Sequence, residues 1–218
     1  MKLNEKIWGG HKKVQARLDT IIAPYRLRLK RQRIPADAQY WTVCGQCTDL
    51  NGKPNPESEL SQLLAAGLLR PNQFHGVDNS AEIIAANQRA YPDVHWHLGD
   101  FYRVLYAESG KPDFRPAIIN ADLINMPDRA ASYAVSLMSI LAHCSGPVML
   151  LVNVVLEYQR LAARKSDIER FIARISDDPS LSAVRSCSVW TDPTEYYFYE
   201  GTGDDSRTKM GSLVFWKD

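Results

Sequence analysis

Short apolar runs alternate along this chain with stripes of helical period. YWTVCG (40–45), FHGVD (74–78), VHWHL (94–98), PAIINAD (116–122) and VMLLVNVV (148–155) read as five strands. Between them, Leu60, Leu63, Leu64 and Leu68 make a buried helical stripe, with Asn55 at the N-cap position, Pro56 at the first helical position and Glu57 and Glu59 in the first turn. Ser80 caps a helix whose inner face holds Ile83 and Ile84 and which stops at Tyr91-Pro92. Ala130, Ala134, Leu137, Met138 and Leu141 share one face of a helix over 127–142, and Leu161, Ile168, Phe171, Ile172 and Ile175 mark another. EYYFYEG (195–201) and GSLVFWK (211–217), parted by a polar loop, read as an antiparallel hairpin.

Strands alternating with helices and closed by a hairpin predict an α/β fold: a doubly wound, mostly parallel sheet with a C-terminal antiparallel hairpin strand. The unbroken fifth run suits a parallel strand covered on both faces. Ahead of the first strand, Val14, Leu18, Ile21, Ile22 and Tyr25 lie on one side of a helix over 12–31 that Pro24 kinks or divides, and Pro35 closes the segment. The expected division is a basic helical N-terminal extension, 1–37, and a Rossmann-like domain, 38–218.

A chain of 218 residues has room for one such domain and an appendage. Its 45% hydrophobic and 23% charged residues are those of a soluble protein. No apolar run approaches the ~18–20 residues of a membrane span and no signal-type segment opens the chain, so no membrane partner and a cytoplasmic location are expected. Four cysteines do not make a disulfide framework, which fits a reducing compartment. The net charge of +1 hides an asymmetry, for residues 1–34 carry ten Lys and Arg against Glu5 and Asp19, while the remainder carries 16 basic and 23 acidic residues. A basic head on an acidic body can hold RNA or DNA, or dock on its own body or a second subunit.

In an open parallel sheet, ligands bind at the carboxyl ends of the strands. Four predicted ends carry polar or glycine residues: Cys44-Gly45-Gln46, Asp78-Asn79, Gly99-Asp100-Phe101 and Asn120-Ala121-Asp122. An apolar run ending in Asp78, with a helix start behind it, fits a carboxylate that accepts from two vicinal ribose hydroxyls. The bland roles are helix caps for Asp78 and Asp122 and a turn position for Asp100.

This ordered series resembles the class I S-adenosylmethionine-dependent methyltransferases over roughly residues 40–218, including the reversed last strand. The resemblance implies a methyltransferase with S-adenosylmethionine as cofactor and an unspecified methyl acceptor, nucleic acid among the candidates. Cys44, Gly45 and Gln46 would form the turn beneath the methionine part, and Asp78 would hold the ribose with Asn79 beside the adenine. Asp100, after Gly99, would accept from the adenine amine while Phe101 or a nearby apolar side chain covers the ring. Asp122 would be the catalytic residue, facing the methyl group and the acceptor. A second reading takes the single glycine of VCGQCTD, the 33-residue gap from Gly45 to Asp78 and the basic head as marks of a non-catalytic module that has lost its cofactor. Such a module would bind nucleic acid or protein, and would keep its body folded without residues 1–34.

CGQC (44–47) follows a strand as a thioredoxin-like motif does, but such a motif needs a helix N-terminus at its first cysteine, and TDLNGKPNP cannot supply one. As a zinc site the pair lacks two ligands, since Cys144 and Cys187 are isolated. His95 and His97 would share one strand face, half of a metal site that no HxxxH completes. The aromatic hairpin suits edge-strand core better than a base-stacking platform.

Overall fold

The computed structural model describes residues 21–125, 127–142, 144–156, 173, 195–200 and 209–217. The strands are β1 (Gln39–Val43), β2 (Phe74–Asp78), β3 (His95–Leu98), β4 (Pro116–Asn125), β5 (Val148–Leu156), β6 (Glu195–Glu200) and β7 (Lys209–Lys217). The helices are α1 (Ala23–Leu29), α2 (Glu59–Ala65), α3 (Ala81–Ala90), α4 (Phe101–Ser109) and α5 (Pro127–Leu141). One seven-stranded sheet runs β3-β2-β1-β4-β5-β7-β6. β1 to β5 pair in parallel, while β7 is antiparallel to both β5 and β6. This is the doubly wound, mostly parallel sheet with a reversed hairpin that the hydrophobic pattern predicts.

Because strand side chains alternate between faces, each strand feeds two cores. On one face Tyr40, Phe74, Ile118, Met149, Leu151 and Trp216 pack with Leu60 and Leu63 of α2. On the other, Trp41, Val77, Ile119, Leu150 and Phe215 pack with Leu105 of α4 and Leu137 and Met138 of α5. Gly76 lets β2 pass close to its neighbours, since a Cβ there would lie 2.5 Å from the Trp96 ring and 2.7 Å from Cys44 Sγ. No helix among the described residues is long and apolar enough to cross a membrane.

Three elements differ from the expectation. The N-cap of α2 is Ser58, whose hydroxyl accepts from Ser61 N, whereas Asn55 accepts from Glu57 N in a turn before the helix. β4 continues past Asp122 to Asn125, with an irregularity in its pairing to β5 after Ala121. α4, which the sequence pattern did not reveal, is nucleated by Asp100. Residues 12–20 of the helix predicted over 12–31, and the helix predicted around 161–175, lie outside the described residues, apart from the helical Ala173.

The segment ahead of β1 is built into the core where it is described. Ile21, Ile22, Tyr25 and Ile34 are buried against the α2 face. Pro24 sits in the first turn of α1, where a missing N–H costs nothing. Arg26 Nη2 donates to the Ala66 carbonyl at the end of α2, and Ile34 N donates to the Leu68 carbonyl at 2.9 Å.

Candidate active site

The order of strands reverses between β1 and β4, the switch point beside which sheets of this kind form a ligand crevice at the carboxyl edge. The turn after β1 borders it. Cys44 N donates to the Val77 carbonyl at 3.0 Å and its thiol points inward against β2, also toward that carbonyl. The buried side chain of Asn87 in α3 then grips the turn from below, with Nδ2 donating to the Gly45 carbonyl at 2.9 Å and Oδ1 accepting from Cys47 N at 2.8 Å. Gln46 Nε2 donates to Thr48 Oγ1 at 3.0 Å. TDLNGKPNP folds on itself, for Asp49 Oδ1 accepts from both Asn51 N and Lys53 N, and Gly52 supplies the positive φ of 74°.

Asp78 and Asp100 stand on the same rim. Leu98 pairs with Asp78 across β2 and β3, and Gly99 N donates to the Asp78 carbonyl at 2.9 Å. Gly99 holds φ 149°, and a Cβ on it would come within 3.2 Å of Val104 Cγ2. Asp78 is half-buried, with Oδ1 accepting from Ser80 N at 2.8 Å. Burial raises its carboxyl above the ordinary value, opposed by the backbone N–H groups of Ser80 and Asn79. Asp100 Oδ1 accepts from Arg103 N at 3.0 Å and so caps α4. Its helix-capping role is a fact of the structure, and it leaves the second oxygen of that carboxylate outside this bond.

Two residues on the expected roster face elsewhere. Phe101 is 5% exposed and packs under α4 with Leu105, because the first residue of that helix falls on its inner stripe. It therefore cannot cover a ring at the rim, where the apolar side chain is Leu98, 57% exposed and beside Asp78. Cys44 likewise offers the rim only backbone, its thiol being buried and pushed well above the usual thiol range by desolvation. Asp122 is half-buried within β4 rather than at its end.

Sequence reasoning missed a polar chain that crosses the sheet beneath the crevice. Tyr40 Oη donates to Glu59 Oε1 at 2.7 Å, Asn120 Nδ2 donates to Glu59 Oε2 at 2.9 Å, and Asn153 Nδ2 donates to Asn120 Oδ1 at 3.1 Å. It ties the start of α2 to β1, β4 and β5. The available signal was a lone asparagine inside each of two apolar strands, a residue that burial tolerates only with partners.

The histidines form an assembly of their own on the opposite face. Trp41, His75 and His95 are cross-strand neighbours in register, with ring centroids 4.1 and 4.5 Å apart. His75 Nδ1 and His97 Nε2 lie 3.2 Å apart, in rings only 14° from parallel. Burial lowers His75 to about 3 and lowers His97 as well, with the nearby histidines and Lys111 adding to the effect and Glu108 opposing it at His97. No group of three or more His, Cys, Asp or Glu suited to a metal ion occurs among the described residues.

The class of fold is that of the class I S-adenosylmethionine-dependent methyltransferases, in strand order and in the reversed last pair. A SAM-dependent methyltransferase from Archaeoglobus fulgidus superposes with TM-score 0.51 at 13% identity, covering 98% of this chain and 97% of that one. The plantazolicin methyltransferase BamL, in complex with a triazolic desmethylPZN analog and SAH, superposes with TM-score 0.50 at 9% identity, covering 94% of this chain and 85% of that one. The chain spans 47% of the length of SMU.776, another structure complexed with SAH. No protein-family model matches the chain, and no curated protein matches its sequence.

Proposed function

We propose that this protein binds S-adenosylmethionine in the crevice at the β1–β4 reversal and transfers its methyl group to an acceptor. The observation that carries the reading is that Gly45, Asp78 and Asp100 follow or end the paired strands β1, β2 and β3 on one carboxyl edge, with Asp122 inside the neighbouring β4. The residues fit the group chemically. Asp78 is a partly desolvated carboxylate with no ion pair among the described residues, and two hydroxyl donors would satisfy it. Leu98 supplies an apolar surface next to it for a ring, and Gly45 puts no side chain at the turn.

When bound, the cofactor supplies an electrophilic methyl on a sulfonium. The chain's part is to hold that centre and the acceptor in line, the source of most rate in such transfers. Asp78 anchors the ribose, Asp100 and Leu98 the adenine end, the Gly45 turn the methionine end, and Asp122 orients or deprotonates the acceptor. The structural neighbours support this reading because two of them are methyltransferases and one holds SAH.

Calorimetric titration with S-adenosylmethionine and S-adenosylhomocysteine tests it. Saturable heat with both, lost in Asp78→Ala, is expected. No heat with either at millimolar ligand would overturn the reading in favour of the non-catalytic module, which the inward turn of Cys44 and Phe101 favours.

A further inference from the structure

We propose that the edge of the sheet opposite the crevice carries a second binding surface, for the phosphate backbone of nucleic acid, built on α1 and the turn after it. From residue 21 to residue 36 the chain has five cations and no carboxylate. One cation is structural, since Arg26 bonds the carbonyls of Gln32 and Ala66 and so fixes the turn. The other four are exposed, although Arg31 also lies by the Tyr25 hydroxyl. Lys30 takes a left-handed conformation, φ 51°, which reverses the chain and leaves Lys30, Arg31 and Arg33 exposed beside Arg28. Arg28 lies over the Trp216 ring at 5.2 Å.

These cations sit on a rigid base. Ile21, Ile22 and Tyr25 before them and Ile34 after them are buried, and Ile34 is bonded to Leu68. A ligand therefore need not order the backbone that bears the charges. Their location follows from the topology. α2 returns the chain from the carboxyl edge to the amino edge, so Ala66 at its end marks the amino edge, and Trp216 pairs with Met149 near the start of β5. Arg70, also exposed, lies two residues beyond Leu68 on the same edge. Asp78 and Asp100 stand at the other edge.

The chemistry selects the partner. Planar guanidinium groups match phosphate oxygens in pairs, and three of the four exposed cations, Arg28, Arg31 and Arg33, are arginines. A membrane surface would require an apolar stripe to insert, and α1 exposes only one large apolar side chain, Leu27 at 77%. Being remote from the crevice, this surface anchors a polymer rather than presenting a reacting atom.

Fluorescence anisotropy with labelled RNA and DNA oligonucleotides, single-stranded and duplex, tests the inference across a salt series. Affinity should be indifferent to sequence and fall with log salt at a slope of about −3 for four contacts. K30E/R33E should flatten that slope by about 2 while leaving the melting temperature and cofactor titration unchanged. No binding at low salt, salt-independent binding, an unchanged slope in K30E/R33E, or binding to anionic vesicles in place of oligonucleotides would overturn it. Cofactor heat is measured separately, so either proposal can fail alone.

Discussion

Asn87 donates its side-chain N–H to the Gly45 carbonyl across 2.9 Å and, with its other amide atom, accepts from Cys47 N. A loop with one glycine thus gets from a buried amide the shape that a glycine-rich loop gets from backbone freedom. Asn87→Ala would leave a buried carbonyl and a buried N–H unpaired, at about 1–3 kcal/mol each. Urea unfolding should show that loss, and cofactor affinity should fall with it. Asn87→Asp should do no better, because it turns a carboxylate oxygen toward the Gly45 carbonyl.

Asp78 separates binding from folding. Its raised carboxyl means that the native state holds the proton more tightly than the unfolded chain, so ionisation lowers stability as pH rises through the window above 3.8. Asp78→Asn should therefore leave the ligand-free melting temperature at neutral pH unchanged or higher. It should weaken cofactor binding by about 10–100-fold, the worth of a hydrogen bond to a charged acceptor. Hydroxyl donors favour the ionised form, so binding should release protons at mildly acidic pH, read by calorimetry in buffers of different ionisation enthalpy.

The imidazole assembly gives the fold an acid limit. The folded value of His75 is lowered from 6.5 to about 3, so the unfolded chain binds the extra proton first as pH falls. Stability conferred by the neutral ring is fully present above about 6.5 and is lost as pH drops toward 3, at up to about 1.4 kcal/mol per pH unit inside the window. His97, shifted in the same direction, adds to the slope. Denaturant midpoints from pH 7 to 4 should fall in wild type and fall less steeply in His75→Phe.

Tyr25 is fully buried against the α2 face, so Tyr25→Ala should cost about 3–5 kcal/mol, as aromatic truncations in cores do. Removing residues 1–34 should yield an unfolded or aggregating product by circular dichroism rather than an intact body, since Ile21, Ile22 and Ile34 leave with it.

The sheet was legible because its strands are apolar runs that sterics and burial leave few ways to arrange. Ser80 as a cap and Tyr91-Pro92 as a stop were legible because both act through local backbone chemistry, and Ser80 Oγ does accept from Ile83 N. Phe101 was misread because an aromatic after a strand-end acid looks the same whether it faces a ligand or begins a helix. Asn87 and Glu59 escaped because their partners lie 40 or more residues away, or across strands whose adjacency only topology fixes. The basic segment betrayed its charge but not its anchorage, which depends on hydrophobes interleaved with the cations.

β7 lies between β5 and β6, and Val214, Phe215 and Trp216 are buried in its midst. During synthesis, the nascent chain emerges with β5 waiting for a neighbour that is made only after β6. Until that ribbon slots in, one flank of β5 is an open edge that invites pairing with another chain, so the risk of aggregation is greatest between the synthesis of β5 and that of β7.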